Sequence, residues 1–278
     1  IIDQNTFIHV MGWISKYSKS ELLVQFAYFS ANPNKITMIL IAVATSIGGV
    51  GIPLLTENYV KGDFRSAARL VQDNLSMLIF FILPATIGAV LVAEPLYTVF
   101  YGKPDGLALG LFIFAMLQTI ILSLYTVLAP MIQALFQNRK AIIYFLYGVG
   151  VKLVLQVPLI YIFKAYGPLL ATTVGLIIPI LLMYQEIRKV TGLNPKNLFK
   201  RSLLSVILTV LMTIFVLVAE LLIGLFLHPS GRISSFVYIT LIGGIGLAVY
   251  GGLALKVRLM DRFIGSKAAS LRRRFHIY

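Results

Sequence analysis

Long stretches without a charged side chain are the feature that most limits how this sequence can fold. Residues 36–56, 74–93 and 106–138 contain no Asp, Glu, Lys or Arg, and all three are rich in aliphatic side chains. A helix crosses the hydrocarbon core of a bilayer with about 20 apolar residues, so each stretch is long enough to span it. The stretches are continuously apolar and lack the alternation of barrel strands, which predicts membrane-spanning helices.

The same pattern continues through the rest of the chain and predicts seven spanning helices. Two of the later stretches contain a single charged residue, Lys152 in one and Glu220 in the other. The predicted spans are residues 35–56, 73–100, 107–136, 141–163, 167–187, 202–227 and 233–255. The loops between them are short, so the sequence leaves no room for a soluble domain.

The chain divides into five predicted segments. The apolar piece Phe7–Ile14 is too short to span a membrane and is interpreted as the end of a truncated helix. A group of turn residues around Gly192 and Pro195 indicates a linker before the last two spans. The segments are 1–30 (end of a truncated transmembrane helix and an outer loop), 31–187 (transmembrane helices), 188–201 (cytoplasmic linker), 202–257 (two C-terminal transmembrane helices) and 258–278 (basic cytoplasmic tail).

The composition agrees with a membrane protein and sets its charge balance. Of the 278 residues 59% are hydrophobic and only 12% are charged, whereas soluble domains average about 25% charged residues. The 24 Lys and Arg outnumber the 10 Asp and Glu, for a net charge of +14. Most of the basic residues fall in alternate loops and in the tail, which predicts that these loops and the C-terminus are cytoplasmic. A basic rim facing anionic membrane lipids accounts for the charge, so no nucleic-acid partner is predicted.

No catalytic or metal-binding motif is present in the sequence. The chain has no cysteine, which excludes disulfides and Cys-ligated zinc or iron–sulfur clusters. His9, His228 and His276 do not stand at metal-ligand spacing. The glycine clusters lie inside apolar spans and lack the Gly-Lys-Ser/Thr ending of a phosphate loop, so they are interpreted as helix-packing sites. The sequence therefore predicts a protein that is not an enzyme and uses no cofactor and no metal.

A polar stripe on one predicted helix is the main candidate for a functional site. Lys152 lies near the middle of its span, and Tyr144, Gly148 and Gln156 lie on the same helix face. A charge at mid-bilayer is costly and usually faces a cavity or a partner. One interpretation is that the stripe lines a water-filled path and offers a cation to an anionic substrate. The other is that Lys152 ties two helices together through backbone carbonyls or a carboxylate such as Glu220.

Several short segments, taken in order, resemble a known family of transporters. They are residues 47–55 (IGGVGIPLL), 59–63 (YVKGD), 83–88 (LPATIG), 93–96 (AEPL), 100–102 (FYG), 166–168 (YGP) and 171–173 (ATT). The sequence resembles the polysaccharide-transporter branch of the multidrug/oligosaccharidyl-lipid/polysaccharide exporter superfamily. Within that branch it is most similar to the sporulation-protein-B-like and MurJ-like flippases, and the resemblance covers most of the chain.

The resemblance implies an all-α, polytopic transmembrane helical bundle with the MATE/MurJ-like flippase fold. Such proteins have fourteen helices in two six-helix lobes plus two C-terminal helices. This chain would supply helices seven to fourteen, with the missing N-terminal lobe as its partner. The implied function is translocation of an undecaprenyl-pyrophosphate-linked cell-wall or polysaccharide precursor, such as lipid II, across the bacterial cytoplasmic membrane by alternating access. In this family the last two helices help to form a groove for the lipid tail.

The resemblance also bears on Lys35, which begins a predicted span. Composition alone favours an ordinary anchor at the level of the lipid headgroups, but the family has a cavity arginine within one position of this place. A lysine can meet a phosphate as a point charge, although not in the bidentate manner of arginine. The predicted substrate-binding residues are therefore Lys35, Lys152, Gln156 and Tyr144. Two alternatives stay open: a drug/cation antiporter of the same superfamily, and a non-transporting membrane scaffold of cell-wall synthesis.

Overall fold

The chain is built from helices. The computed structural model describes residues 2–225, 227, 229 and 231–261. None of these residues lies in a strand, which confirms the prediction of an all-α fold. The described helices are α1 (Ile2–Ile14), α2 (Lys19–Phe29), α3 (Ala31–Val50), α4 (Ile52–Val60), α5 (Phe64–Leu91), α6 (Ala93–Tyr101), α7 (Gly106–Ala134), α8 (Asn138–Phe163), α9 (Gly167–Thr191), α10 (Pro195–Gly224) and α11 (Arg232–Lys256), with a 3-10 turn at Lys164–Tyr166.

Six helical segments among the described residues are long and apolar enough to cross a membrane. One of them, Asn138–Thr191, contains both α8 and α9, and another, Lys19–Val60, contains α2, α3 and α4. Each of the seven expected spans overlaps one of these six segments, and the expected span 73–100 also covers α6 (Ala93–Tyr101). The chain is therefore a multi-pass membrane protein built as a polytopic helical bundle, as predicted.

The second expected span differs most from the observed helix. Helix α5 begins at Phe64, well before residue 73. Its first turns carry charged side chains, so they precede the apolar run from which the span was predicted. The backbone N–H of Ser66 donates to Asp63 Oδ1 at 3.0 Å, and the hydrogen bonds from Ser66 lower the pKa of the Asp63 carboxyl. The helix ends at Leu91, and Val92 breaks the helical backbone (φ −96°, ψ 27°) before α6 begins.

The N-terminal segment contains two helices, α1 and α2. Helix α2 begins with a capping box, in which the Ser18 hydroxyl accepts from Glu21 N and the Ser18 backbone N–H donates to Glu21 Oε2 at 2.7 Å. Phe7 of α1 is fully buried against α2, with its ring centroid 5.2 Å from that of Phe29. Aromatic packing between these two helices fixes α1, and with it the residues at the start of the chain.

The connection between α9 and α10 is shorter than the linker expected over residues 188–201. Helix α9 continues to Thr191 and ends at Gly192, which is left-handed (φ 68°), a conformation that glycine adopts without steric cost. Helix α10 begins three residues later at Pro195. The basic tail expected from residue 258 lies almost wholly outside the described residues, which end at Asp261.

The helices form two compact units, one of Ile1–Leu78 with Asp105–Leu198 and the other of Ile79–Pro104 with Phe199–Tyr278. In the first unit α8 and α9 approach at their backbones. A side chain at Gly148 would meet the carbonyl oxygen of Gly175 and, at 2.9 Å, Cδ of Pro179. Close contact through small residues is how helices associate in lipid. Gly148 therefore serves helix packing, as predicted, whereas Gly150, the other glycine of its cluster, has no atom within 4 Å of an added Cβ.

The second unit has its own apolar core between α10, α11 and the last turns of α5. Leu208, Met212 and Val216 of α10 are buried with Ile242 of α11. Tyr250 of α11 donates its hydroxyl to the backbone carbonyl of Phe80 at 2.8 Å, which satisfies the buried phenol.

Candidate functional site

Lys152, the basic residue expected near mid-span, forms an ion pair with Asp3 of α1. Lys152 Nζ lies 2.9 Å from Asp3 Oδ2, and Gln156 Nε2 donates to Asp3 Oδ1 at 3.0 Å. Both carboxylate oxygens are therefore bound by α8. The Lys152 and Asp3 side chains are 24% and 36% exposed, so the pair is reachable from outside the unit. The suggested carboxylate partner Glu220 was wrong, since the residue that binds Lys152 is Asp3.

The approach of α8 to α9 positions this ion pair. Gly175 of α9 lies against the stem of Lys152, and a side chain at Gly175 would come within 2.9 Å of Lys152 Cβ. Gln156, one turn further along α8, is buried (1% exposed), and its Oε1 has no hydrogen-bond partner among the described residues. The small residue on α9 therefore leaves room for the lysine stem, while the ammonium group turns toward α1.

Tyr144 belongs to a second polar cluster at another level of α8. Its hydroxyl donates to Glu186 Oε2 at 3.3 Å, and Lys140 Nζ lies 2.6 Å from Glu186 Oε1. Glu186 is buried (7% exposed), and its two partners both come from α8. The structure thus brings Lys152 and Gln156 together on Asp3 and places Tyr144 in a contact that joins α8 to α9.

Lys35, the fourth predicted site residue, is exposed in the first turn of α3. Gln118 of α7 is a buried polar side chain that connects two helices. Its Nε2 donates to the Leu169 carbonyl at 2.8 Å and to Thr173 Oγ1 at 3.0 Å, both on α9. Among the described residues no group of three His, Asp or Glu could hold a metal ion.

Three residues of the polar clusters were not predicted from the sequence: Asp3, Lys140 and Glu186. Two of them could have been found, because Lys140 and Glu186 stand at similar distances along the chain from the turn at Lys164–Tyr166. Two antiparallel helices joined by so short a turn bring such positions opposite each other. Asp3 gives no comparable signal, since its pairing with Lys152 depends on how α1 packs.

An apolar groove lies in the second unit, along α5, α10 and α11. Its volume is about 420 Å³, within the range of about 300–1,000 Å³ typical of ligand sites. Residues that line it include Phe80, Pro84, Gly88, Met212, Gly243 and Tyr250. At Gly88 and Gly243 an added Cβ would have no atom within 4 Å, so the absence of side chains there keeps the groove open.

Comparison with known proteins identifies the family. The model of the family described as "Lipid II flippase MurJ" matches residues 25–241, which is most of the chain. The chain belongs to the MurJ family. The resemblance to MurJ-like flippases seen in the short motifs is thereby confirmed.

A curated relative extends the match nearly to the ends of the chain. The lipid II flippase MurJ of Bacillus subtilis (strain 168) is 28% identical over 270 residues. The alignment covers 96% of this chain and 49% of the relative, so the chain spans about half the length of the curated MurJ protein it matches.

Proposed function

We propose that this chain is part of a flippase that carries an undecaprenyl-pyrophosphate-linked cell-wall or polysaccharide precursor, such as lipid II, across the bacterial cytoplasmic membrane by alternating access. The match of residues 25–241 to the lipid II flippase family is the observation that carries the proposal. The substrate path belongs to the whole protein, and this chain would contribute one side of it. Transport of this kind forms and breaks no covalent bond, so the proposed function is not enzymatic and requires no cofactor.

The apolar groove is the proposed site for the polyprenyl tail. It is formed by three spanning helices and lined mainly by aliphatic and aromatic side chains. A long hydrocarbon chain gains little by leaving lipid for such a groove, since both are apolar, so the groove would orient the tail and hold it in register. Its position on α11 and α10 agrees with the role that the family resemblance implies for the last two helices.

The head group is the proposed ligand of Lys152, with Gln156, Lys35 and Tyr144 as further contacts. A pyrophosphate carries negative charge that a lysine ammonium can meet as a point charge. Because Lys152 is held by Asp3 at 2.9 Å, an arriving phosphate would compete with Asp3 for the same ammonium. The Asp3–Lys152 ion pair would therefore be weaker when the substrate is bound than when it is absent. A ligand that changes the relative stability of two conformations shifts their populations, and this couples substrate binding to motion.

The alternative role for Lys152 is a structural tie between α1 and α8. The ion pair itself favours this role, because both carboxylate oxygens of Asp3 are engaged by α8. The two roles differ in one respect: a tie is needed only for folding, whereas a head-group contact is needed for transport in a protein that is already folded. A transport assay on folded variants of Lys152 therefore distinguishes the substrate-binding role from the structural one.

The orientation proposed for the chain places its C-terminus in the cytoplasm. The loops assigned to that side carry most of the Lys and Arg, as the positive-inside rule requires. The basic rim would then face the anionic lipids of the inner leaflet.

Complementation tests the proposed function. A bacterial strain is depleted of its own lipid II flippase and supplied with the full-length protein that contains this chain, and outward delivery of labelled lipid II is measured. The proposal predicts that wild-type protein restores delivery. Failure to restore it, at a normal membrane level of the protein, would contradict lipid II as substrate and favour another lipid-linked glycan, the antiporter or the scaffold.

Variants in the same strain test the proposed head-group contacts. Lys35→Ala and Lys152→Leu should each reduce delivery at normal membrane levels. Lys103→Ala serves as the control, because Lys103 is an exposed loop lysine that the orientation places on the same side as Lys35. Full delivery by both Lys35→Ala and Lys152→Leu would contradict a basic contact to the head group while leaving the flippase function intact.

A further inference from the structure

A second pocket lies in the first unit, where helix α5 begins and the turn from α9 to α10 passes over it. Its volume is about 320 Å³, at the lower end of the range of about 300–1,000 Å³ for ligand pockets. Arg65, Arg69 and Gln72 of α5 form one wall, and Gly192 and Asn194 of the turn lie on the other. The flippase function proposed above makes no use of this pocket.

The walls of the pocket are held by contacts within the protein. Gln72 is buried (6% exposed) and donates its Nε2 to the Asn194 carbonyl at 2.9 Å. Asn194 Oδ1 accepts the backbone N–H of Lys196 at 3.0 Å, which fixes the start of α10. Gly192 N donates to the Arg188 carbonyl at 2.9 Å. Because these bonds fix both sides, the pocket exists without a ligand and a ligand need not order the turn.

The charge of the pocket indicates an anionic ligand. Arg65 and Arg69 are four residues apart on α5, so their exposed guanidinium groups lie on one face of the helix. Among the described residues the lining includes no carboxylate, and Asn197 adds an amide from α10. The Asp63 carboxylate, outside the lining, lies close enough for the charges of Arg65 and Arg69 to lower its pKa, so it offsets part of their positive charge. Guanidinium groups present paired N–H donors that match the oxygens of a phosphate.

The position of the pocket indicates where the phosphate comes from. Arg65 and Arg69 stand in the first two turns of a helix that then runs apolar for about 20 residues. The pocket also lies where the apolar segments of α9 and α10 end and begin. Arginines at the ends of spanning helices stand at the level of the lipid headgroups. A membrane phospholipid therefore presents its phosphate at the depth of the pocket.

We propose that this pocket, with Arg65 and Arg69 as ligands, binds the phosphate headgroup of an anionic phospholipid from the adjacent leaflet. The hydroxyl groups of a glycerol headgroup would have hydrogen-bond partners in the amide side chains of Asn194 and Asn197, which line the pocket. The lining of this site shares no residue with the apolar groove or with the Asp3–Lys152 pair.

Equilibrium binding to the purified full-length protein in detergent tests this site. The probes are short-chain phosphatidylglycerol, short-chain phosphatidylcholine and inorganic phosphate. The variant Arg65→Gln/Arg69→Gln removes the two guanidinium groups from the pocket. The control Arg188→Gln/Lys189→Gln removes two exposed positive charges from the last turn of α9, outside the pocket lining.

The proposal predicts that wild-type protein binds phosphatidylglycerol more tightly than either other probe. The pocket variant should bind phosphatidylglycerol about tenfold or more weakly, because it loses the charge-assisted hydrogen bonds from the two arginines. The control variant should weaken binding less than the pocket variant, because the side chains of Arg188 and Lys189 do not line the pocket. Equal losses in the two variants would overturn the site in favour of a diffuse basic surface. Equal affinity for inorganic phosphate and phosphatidylglycerol would overturn the lipid as its ligand.

A second variant controls for misfolding of the glutamine variant. Arg65→Lys/Arg69→Lys keeps the charge and loses the paired donors, so it should retain more affinity than the glutamine variant and less than wild type. Lysines that bind as tightly as the arginines would contradict recognition of the phosphate by guanidinium geometry.

Discussion

Asp3 in helix α1 and Lys152 in helix α8 form an ion pair across 149 positions of the chain, with 2.9 Å between Oδ2 and Nζ. Neither residue is fully buried, and Gln156 holds the second carboxylate oxygen. The pair joins the first helix of the chain to the helix that carries the polar stripe. Its two proposed roles, as a tie between helices and as a contact for an anionic head group, can be separated by experiment.

The first prediction concerns this ion pair. Asp3→Asn and Lys152→Met should each destabilise the full-length protein by about 1–2 kcal/mol, below the range of fully buried pairs because both groups are partly exposed. The double variant should lose less than the sum, because it leaves no unpaired charge. Thermal unfolding in detergent measures the stability, and delivery of labelled lipid II measures transport.

Transport by the double variant separates the two roles. If Lys152 contacts the head group, the double variant regains stability but stays defective in delivery. Recovery of delivery together with stability would contradict the substrate-binding role and assign the pair to folding alone.

The second prediction concerns the apolar groove. Gly243 lines the groove, and an added Cβ there would have no atom within 4 Å, so Gly243→Phe should place its ring in the groove. Delivery should fall by about tenfold, or about 1.4 kcal/mol in the transport barrier, because the filled groove could no longer hold the tail in register. Gly244 is the matched control, because it also has open space but does not line the groove. Equal effects of Gly243→Phe and Gly244→Phe would argue against the groove as the tail site.

The third prediction concerns the contact between α8 and α9. Gly148→Ala should destabilise the protein by about 1–3 kcal/mol, because its methyl group would press on the Gly175 carbonyl and on Pro179. Gly150 lies two residues away with no atom within 4 Å of an added Cβ. Gly150→Ala should therefore be neutral or stabilise by up to about 1 kcal/mol. Thermal unfolding in detergent compares them, and a destabilisation by Gly150→Ala as large as that by Gly148→Ala would contradict the packing described.

The fourth prediction concerns Glu186. Lys140→Met leaves this buried carboxylate without its ammonium partner and should lower the stability of the protein. Lys61→Met breaks the exposed pair with Glu57 at the end of α4 and should lower the stability less. If Lys140→Met and Lys61→Met had similar unfolding midpoints, the stability of the protein would not depend on the contact between Lys140 and Glu186.

Much of the fold could be predicted because lipid imposes a simple rule. A chain of apolar stretches of about 20 residues must form helices in a membrane, so uncharged runs mark the spans. The rule works less well at helix ends, where charged residues continue the helix into the interface. For this reason the predicted start at residue 73 missed the first turns of α5, which include Arg65 and Arg69.

Sequence patterns outside the apolar runs also indicate parts of the fold, but less strongly. Ser18 and Glu21 have the spacing of a capping box and mark the start of α2, which hydropathy alone assigned to a loop region. Lys152 was correctly singled out as a charge that needs a partner. Its partner could not be chosen from the sequence, because which carboxylate reaches it depends on the packing of α1 against α8 and not on spacing along the chain.

Reconstitution gives the most direct test of the central claim. The full-length protein is placed in liposomes that carry fluorescent lipid II in both leaflets, and a membrane-impermeant quencher reports how fast labelled lipid moves between them. A lipid II flippase should give transfer well above that of protein-free liposomes, and transfer should be about tenfold slower with Gly243→Phe but not with Gly244→Phe. Transfer no faster than in protein-free liposomes, with the protein folded and inserted, would contradict a flippase for lipid II.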